Sequence, residues 1–520
     1  MLFLATCATS SWAGLLDLTG VNLLRQTTTN LNGTGIIVAQ PEASSGGALP
    51  DFEVNPGNST VNQPKSLFTY YSDSGTATNY PNSAGIQSGH ANGVASFFYG
   101  LPGGVATNIG HVDNYDANYF INSIISPAQD IPARIVNQSF IAPTNGQESI
   151  DTLYDNYSAS RGVLFVSGVG NGGVVYPPST CYNGIGVAAY GTVNSSIGPT
   201  LDGRCKPDIT APQEGANLVT SFTTPLVSGS AAVLLQAGLR GDGGSDTNAA
   251  SDMRTLKALL LNGAIKPNGW TNGTSTPLDA RHGAGMVNLF NSYRQFVGGQ
   301  HAAIEQTSVS TNAAHPPGAN EGNISQWSGW SFGSISSTST PPPGKDTINH
   351  HYFNLTNSGS PGPFTATVTL VWNRQNGQTA INNLNLFLYN TANSNLIAQS
   401  ISRADNVEHL YVRELPQGRY DLQVWKAGGT SINGRVTSSE TYALAWEFFT
   451  MPLAVSQSDT NLVLSWPIYP TGFVVESTPS LSAPSWTTIV ASPPVIDGTN
   501  PLTLPASANQ KFFRLRRPAF

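Results

Sequence analysis

The chain has 520 residues, of which 39% are hydrophobic and only 10% are charged, and its formal net charge is −7. This length suits about three domains, and the hydrophobic fraction excludes a chain that is disordered throughout. Basic residues cluster only at Arg514, Arg516 and Arg517, so neither composition nor charge supports nucleic-acid binding. No run of about 18 apolar residues follows the N-terminal region, so no membrane span is predicted.

Residues 1–13 have the features of the back half of a secretory signal. A short apolar core is followed by a small-x-small ending at Ser11-Trp12-Ala13, which predicts a secreted or cell-surface protein. Residues 14–25 are predicted to form a helix or arm packed on the first domain. Once Cys7 is removed with the signal, Cys181 and Cys205 remain. Either a disulfide between them or two buried thiols would fit an exported protein.

The next two predicted elements supply a carboxylate and a histidine. The run Gly33-Thr-Gly-Ile-Ile-Val-Ala-Gln-Pro-Glu42 predicts a buried strand of a parallel sheet that ends in an acid. Residues 43–86 are rich in Gly, Ser, Asn and Pro and are predicted to be a surface insertion. A helix is then expected to open at Ser88-Gly-His-Ala-Asn-Gly-Val-Ala-Ser-Phe-Phe-Tyr-Gly100, with His90 at its start.

Three further strands are predicted before the next helix, at 134–140, 162–168 and 185–190. The second strand runs into a glycine-rich turn, Gly168-Val-Gly-Asn-Gly172, where the lack of side chains lets the backbone approach a ligand closely. Taken alone, Asn171 also fits an ordinary Asn-Gly turn. The turn by itself therefore does not distinguish a functional role of Asn171 from a structural one.

The stretch Val219-Thr-Ser-Phe-Thr-Thr-Pro-Leu-Val-Ser-Gly229 places Ser221 at the mouth of a predicted helix. Pro225 favours the first helical turn, and the residues that follow are apolar on nearly every face, as in a buried helix. The free N–H groups and the dipole of such a helix favour negative charge beside Ser221, as acyl transfer requires. The alternative is a Ser/Thr-rich cap on a core helix.

Taken in order, these segments resemble the motifs of the subtilisin-like serine peptidases (subtilases) over residues 20–297. The resemblance extends to Gly203-Arg-Cys-Lys-Pro-Asp-Ile-Thr-Ala-Pro212 and to Arg281-His-Gly-Ala-Gly-Met-Val-Asn-Leu-Phe290. Four positions depart from the usual pattern, which has Asp at Glu42, a second His at Gly93, Gly at Val219 and commonly His at Leu226. The departure at Val219 is expected to crowd the backbone near the substrate.

The resemblance implies a secreted endopeptidase whose catalytic residues are Ser221, His90, Glu42 and Asn171. Ser221 would attack the peptide carbonyl, His90 would move its proton, and Glu42 would orient the imidazole. Asn171 would hold the oxyanion together with the backbone N–H of Ser221. The implied partner is a protein or peptide substrate, and the chain is expected to be a monomer.

Substrate contacts are expected from the resemblance at Ser139, Gly168 and Gly170. The strand that carries Ser139 would lie beside the substrate backbone, and the two glycines would leave room for a large apolar P1 side chain. If Glu42 is not the third member of the triad, Asp51 in the following insertion is the next carboxylate to consider.

Two other classes of function remain open. Glu42 and Val219 would also fit a subtilase-like scaffold without activity that serves in binding. Adhesion to carbohydrate or to a cell surface would lie in the C-terminal β domains.

The fold class predicted for residues 14–297 is α/β, a subtilisin-like parallel sheet with helices on both faces, because short strands and helices alternate. Residues 298–450 are predicted to be a polar, Pro-rich linker and a jelly-roll-like β-sandwich, because the hydrophobic period changes to two. Residues 451–520 are predicted to form a small C-terminal β module. The β domains are expected to fold separately, so a chain ending near residue 297 would keep some activity unless the interface with these domains supports the catalytic fold.

No cofactor is expected for the chemistry and no catalytic metal is predicted. Structural Ca²⁺ is compatible with the oxygen atoms of Asn382, Asn383, Asp405 and Asn406, although ordinary polar loop residues would account for all four.

Overall fold

The computed structural model describes residues 11–213, 219–309, 323–336, 346–356, 363–431, 437–489, 493–496, 498–506 and 510–516. Residues 1–10 of the predicted signal lie outside these ranges, and the signal stays a prediction. The helices are α1 (Ser11–Leu18), α2 (Val21–Thr27), α3 (Gly89–Phe98), α4 (Ala117–Tyr119, continued by a π-helical turn over Phe120–Ile125), α5 (Gln147–Arg161), α6 (Thr220–Arg240), α7 (Thr247–Ala250), α8 (Met253–Asn262) and α9 (Leu289–Phe296).

The N-terminal unit is built on one eight-stranded sheet in the order β10-β9-β8-β7-β1-β6-β3-β4. Every neighbouring pair is parallel except β3–β4. The strands of this unit, two of which form a small separate sheet, are β1 (Ile37–Glu42), β2 (Asp51–Glu53), β3 (Phe68–Ser72), β4 (Gly75–Ala77), β5 (Ile86–Gln87), β6 (His111–Asp116), β7 (Ile135–Gln138), β8 (Leu164–Gly168), β9 (Ile185–Ala189) and β10 (Ile209–Ala211).

The central strand β1 is buried on both faces, as its apolar sequence predicts. Val38 packs into the core that contains α6, and Ala39 packs into a second core on the opposite face, which contains Tyr154 and Tyr157 of α5. Helices therefore cover both faces of the sheet, and the predicted α/β fold is confirmed.

Residues 43–86 are not only a surface insertion, contrary to the sequence-based prediction. The run Phe68-Thr-Tyr-Tyr-Ser72 forms β3, which pairs with β6 and extends the main sheet. Phe68 and Tyr70 are fully buried there. The flanking turns are rich in glycine and asparagine, so the overall composition of residues 43–86 does not reveal this β-branched and aromatic run.

The carboxyl ends of β1, β7 and β8 meet at one edge of the sheet because these strands are parallel and adjacent. The polypeptide enters α3 and α6 at the same edge, and the two helices pack against each other. Residues at the ends of these strands and at the starts of these helices are therefore brought together.

One helix in the described part of the chain, α6, is long and apolar enough to cross a membrane by length and composition alone. Of its apolar window, 83% is buried inside the fold, so the same composition is accounted for by its place at the centre of the N-terminal unit.

The second unit is a sandwich of two sheets. The larger has the order β11-β14-β19-β16-β17, with β12 paired to β14, and the smaller has the order β13-β20-β15-β18. Its strands are β11 (Glu305–Val309), β12 (Asn323–Ile324), β13 (Ser328–Ser336), β14 (Asp346–Leu355), β15 (Phe364–Trp372), β16 (Asn382–Asn390), β17 (Leu396–Ser400), β18 (Val407–Leu415), β19 (Gly418–Ser431) and β20 (Ser439–Phe449).

The smaller sheet of the sandwich shares a core with the N-terminal unit, where α8 packs on β15 and β20. Trp330 stacks on Phe296 with ring centroids 5.7 Å apart, and its indole N–H donates to the Phe296 carbonyl. Thr367 and Thr369 both donate to the side-chain oxygen of Asn262 at 3.0 Å. The sandwich residues that belong to the N-terminal core are Trp330, Val371, Val407, Ala443 and Ala445.

The C-terminal module contains two three-stranded sheets, β21-β22-β25 and β24-β23-β26. It contacts the N-terminal unit through Tyr469, which lies edge-on to Phe290, and through Thr471, which donates to the side chain of Asn291. The strands are β21 (Ala454–Ser458), β22 (Asn461–Pro467), β23 (Val474–Thr478), β24 (Thr487–Thr488), β25 (Thr499–Pro505) and β26 (Phe512–Arg516).

The two described cysteines are not joined. Cys181 is buried and Cys205 is half-buried, and both are free thiols. Of the two alternatives left by the sequence, the disulfide is therefore wrong.

Candidate active site

Glu42 and His90 form the centre of the site. Glu42 is the last residue of β1 and its side chain is 1% exposed, whereas the side chain of His90, the second residue of α3, is 41% exposed. Ser88 caps α3 by accepting the N–H of Ala91 at 3.2 Å, which fixes where the helix begins. His90 Nδ1 lies 2.8 Å from Glu42 Oε2.

This contact determines the tautomer of His90. An ionised carboxylate can only accept, so Nδ1 carries the proton and Nε2 is left with a lone pair. Burial lowers the pKa of His90, but the hydrogen bond and the negative charge of Glu42 outweigh that effect and raise it. The imidazole is thus prepared to take up a second proton at Nε2.

Ser221 lies in the first turn of α6, a 21-residue helix that begins at Thr220. The helix starts earlier than the sequence predicts, so Pro225 falls inside it rather than in its first turn. A proline cannot donate to the carbonyl four residues before it, which here is the carbonyl of Ser221. That carbonyl instead accepts a hydrogen bond from the Ser139 hydroxyl at 2.9 Å.

Ser139 follows β7 and contacts Ser221 twice. Besides binding the Ser221 carbonyl, it presents its own carbonyl to Ser221 Oγ at 3.5 Å. Asn137 donates to the Ser139 hydroxyl at 3.1 Å and accepts from Ser228, about two helical turns further along α6. The end of β7 therefore holds the first turn of α6 in position.

Phe222 links the serine to the histidine. Its ring centroid lies 5.7 Å from that of His90, and it is the residue directly after Ser221. In the described residues, the hydrogen bonds of the two side chains run to Glu42 and Ser139 and not to each other.

Asn171 lies in the turn after β8 and is exposed. Its side-chain oxygen accepts the backbone N–H of Thr220 at 2.8 Å and the Thr220 hydroxyl at 3.2 Å. Because a backbone N–H can only donate, the amide has one orientation, with its NH₂ group directed away from Thr220. Asn171 thus binds the first N–H group of α6 through its oxygen, which leaves its NH₂ group as a donor.

The room predicted at Gly168 and Gly170 is already occupied. A Cβ at Gly168 would lie 3.0 Å from Thr220 Oγ1 and 3.1 Å from Thr224 Oγ1, and one at Gly170 would lie 2.7 Å from Tyr176 and 2.9 Å from Ser196. The glycines allow α6 and the Tyr176 loop to pack closely. A P1 pocket beside the two glycines stays a prediction.

Asp51 is turned away from this site. Its carboxylate accepts from the hydroxyls of Ser44 and Ser45 in an exposed turn, and these bonds lower its pKa to about 2. The contact with His90 is made by Glu42 instead.

The polar atoms of three candidate calcium ligands bind other parts of the protein. Asp405 accepts the backbone N–H of Cys205 at 2.6 Å, Asn406 donates to the carbonyls of Tyr182 and Trp372, and the amide of Asn382 donates to Glu440 at 2.6 Å. No cluster of three or more His, Cys, Asp or Glu side chains suited to a metal ion occurs among the described residues. Calcium binding stays a prediction.

The geometry agrees with the comparison to known families. The Subtilase family profile (Peptidase_S8) matches residues 34–285, a segment that contains β1, α3, the turn after β8 and the start of α6. Residues 34–285 belong to the subtilase family. No curated protein sequence matches the chain.

Solved subtilase-like proteases resemble this chain over about half of its length. The prenylagaramide maturation protease PagA is 21% identical over 53% of this chain and 98% of its own, with a TM-score of 0.40. The MycP3 protease from the type VII (ESX-3) secretion system is 16% identical over 56% and 90%, with a TM-score of 0.39. The PatG macrocyclase in complex with peptide is 18% identical over 53% and 94%, also with a TM-score of 0.39.

Two departures from the subtilase pattern have a structural explanation. Val219 has φ −131° and ψ 149°, an extended conformation that any residue adopts, so the backbone does not require glycine at this position. Crowding near the substrate by the Val219 side chain stays a prediction. At Gly93, a Cβ would lie 2.7 Å from the ring of Phe222. Gly93 thus makes room for the aromatic ring that lies beside His90, a pairing that no local sequence signal indicates.

Proposed function

We propose that this subtilase is an active serine endopeptidase that hydrolyses protein or peptide substrates through an acyl-enzyme, with Glu42 as the acid of its triad. The observation that carries the proposal is the 2.8 Å hydrogen bond between Glu42 and His90, made beside Ser221 at the start of α6. We also propose that the protein is exported, on the strength of the signal-like residues 1–13.

In the first step, Ser221 Oγ leaves the Ser139 carbonyl, turns to His90 Nε2 and attacks the peptide carbonyl while Nε2 takes its proton. Glu42 accepts from Nδ1 and stabilises the imidazolium that forms. His90 then gives the proton to the leaving amine, and a water molecule repeats the sequence on the acyl-enzyme.

The oxyanion would be held by two groups that come from different parts of the fold. Asn171 contributes its NH₂ group, whose direction is set by the bonds to Thr220. Ser221 contributes its backbone N–H, which belongs to the first helical turn and has no partner within the helix. The dipole of the 21-residue helix α6 adds partial positive charge at the same place.

The most direct experiment is labelling with a fluorophosphonate probe, which requires an activated serine. We expect the probe to modify Ser221 in the parent protein and to leave Ser221→Ala unlabelled. Ser230→Ala is the matched control, because Ser230 lies in the same helix but is buried and donates to the Leu226 carbonyl. Folded parent protein that does not react would favour the inactive binding scaffold.

Substitution of Asn171 tests the oxyanion site. We expect Asn171→Ala to lower kcat by about 10²–10³, the usual loss when one oxyanion donor is removed. KM for a chromogenic peptide should change little, because the charge develops only in the transition state. Circular dichroism should show a folded protein, since Asn171 is exposed. A parent-like kcat would remove Asn171 from the site.

A further inference from the structure

The carboxylate of Glu42 has a second partner, Gln40. These two residues are two positions apart on β1, so their side chains point to the same face of the sheet. Gln40 Nε2 donates to Glu42 Oε1 at 2.8 Å and to the carbonyl of Ala91 in α3 at 3.0 Å. Each oxygen of Glu42 therefore has its own donor, Gln40 on Oε1 and His90 on Oε2.

Tyr99 completes the arrangement. Its hydroxyl donates to Gln40 Oε1 at 2.6 Å, and both side chains are fully buried. The amide of Gln40 has a single orientation, because the Glu42 carboxylate and the Ala91 carbonyl are acceptors and the remaining oxygen receives the Tyr99 hydroxyl. The four side chains form one hydrogen-bond network: Tyr99 donates to Gln40, and Gln40 and His90 both donate to Glu42.

These hydrogen bonds join α3 to β1 at both ends of the helix. His90 stands in the first turn of α3, and Tyr99 is its C-cap residue. On the strand side, Asn114 donates to the Gln40 carbonyl at 2.9 Å and holds the backbone there. The distance between the histidine and the strand is thus maintained by buried groups rather than by the exposed surface.

A glutamate has one more rotatable bond than an aspartate, so its carboxylate has more orientations to lose when it holds a histidine. We propose that Gln40 and Tyr99 are positioning residues that hold the Glu42 carboxylate in the one orientation that serves His90. The inference rests on the proposed function, since it concerns the rate at which Ser221 becomes nucleophilic.

The rate of Ser221 labelling by a fluorophosphonate measures this effect without a known substrate. We expect Gln40→Met, which keeps the length but removes both polar atoms, to slow labelling by about 10–100-fold, the range for a lost hydrogen bond to a charged group. Tyr99→Phe should slow it by about 3–10-fold, since it removes a neutral bond one step further away.

Tyr154→Phe is the matched control. Tyr154 is equally buried, and its hydroxyl accepts from Gln138 at 2.9 Å on the neighbouring strand β7, in the core on the opposite face of the sheet. We expect Tyr154→Phe to lose about as much stability in urea as Tyr99→Phe does, and to be labelled at the parent rate. If Tyr99→Phe and Tyr154→Phe label equally fast, Tyr99 does not act through Glu42.

Gln40→Glu separates positioning from a merely structural role. The introduced carboxyl group can donate to Glu42 only while it keeps its proton, and its ionisation would set two negative charges side by side. Labelling of this variant should therefore fall as the pH rises, whereas the parent should reach a plateau. A labelling profile parallel to that of the parent would overturn the inference.

The labelling rates distinguish failure of the proposed function from failure of the positioning role of Gln40 and Tyr99. A folded parent that does not label contradicts the proposed function, and the inference with it. A parent that labels, together with a Gln40→Met variant that labels at the same rate, leaves the peptidase proposal standing and removes Gln40 and Tyr99 from it.

Discussion

Replacing Glu42 with glutamine should lower kcat by about 10⁴, the size expected when the acid of a serine-protease triad becomes an amide. The carboxylate accepts the Nδ1 proton of His90 and so leaves Nε2 free to act as a base. An amide can present its NH₂ group instead and select the wrong tautomer. The assay is hydrolysis of one chromogenic peptide by the parent and the variant, with circular dichroism to check folding.

The pH dependence of kcat/KM should change together with the rate. In the parent, activity rises as His90 loses its proton, and the midpoint lies above the ordinary value because Glu42 raises the pKa of His90. In Glu42→Gln the negative charge and the charged hydrogen-bond acceptor are both lost. The effect of burial remains, and it lowers the pKa of His90. The midpoint should therefore move to lower pH.

Two controls accompany this prediction. Glu53→Gln changes another buried carboxyl group, whose pKa is raised by burial, and we expect parent-like activity from it. Glu42→Asp should retain more activity than Glu42→Gln, although the shorter side chain reaches less far towards His90. Parent-like activity of Glu42→Gln would show that another group orients His90.

Removing the Arg374 side chain should lower the free energy of unfolding by about 3–5 kcal/mol, the cost of leaving a buried charge without its partner. Arg374 follows β15 of the sandwich, yet its side chain is 1% exposed because it inserts into the N-terminal unit. There its guanidinium lies 2.9 Å from Asp155, which is fully buried, and 3.1 Å from Glu148. Its backbone pairs with both polar atoms of the Asn183 side chain.

Burial raises the pKa of Asp155 even though the Arg374 charge opposes that rise, so burying this pair carries a large desolvation cost. A buried ion pair need not stabilise the fold more than an apolar contact would, but it fixes how the two surfaces meet. Removing one partner lowers the free energy of unfolding, because the other charge is left buried and unpaired. Urea denaturation followed by tryptophan fluorescence will measure the effect. Arg403→Ala, in the same domain but exposed, is the control and should match the parent within about 0.5 kcal/mol.

The same interface changes the expectation for a shortened chain. The sequence predicts that a chain ending near residue 297 keeps some activity, because the β domains look separable. The structure predicts an insoluble or inactive fragment, since Trp330, Val371 and Val407 belong to the same hydrophobic core as the residues of α6. A soluble, active fragment, or an Arg374→Ala variant as stable as Arg403→Ala, would contradict the role of this interface.

Local sequence patterns were sufficient for the parts of the site that depend on one element each. The apolar run ending in Glu42 predicts a buried strand with an acid at its end, and the Ser88–Gly89–His90 segment predicts a helix start. The turn containing Asn171 and the apolar helix after Ser221 are recognised in the same way. Strand ends and helix starts of an α/β fold meet at one edge of the sheet, so their order along the chain already indicates that they come together.

The tertiary structure alone decided what these residues contact. Nothing local to Gln40 or Tyr99, which are 59 positions apart, indicates that they share a hydrogen bond beside Glu42. The packing of side chains over Gly168 and Gly170, and the core shared across the predicted boundary at residue 297, are likewise invisible in the sequence. Periodicity and turn chemistry report the few residues around a position, whereas packing and buried hydrogen bonds join positions that only the complete fold brings within a few ångströms of each other.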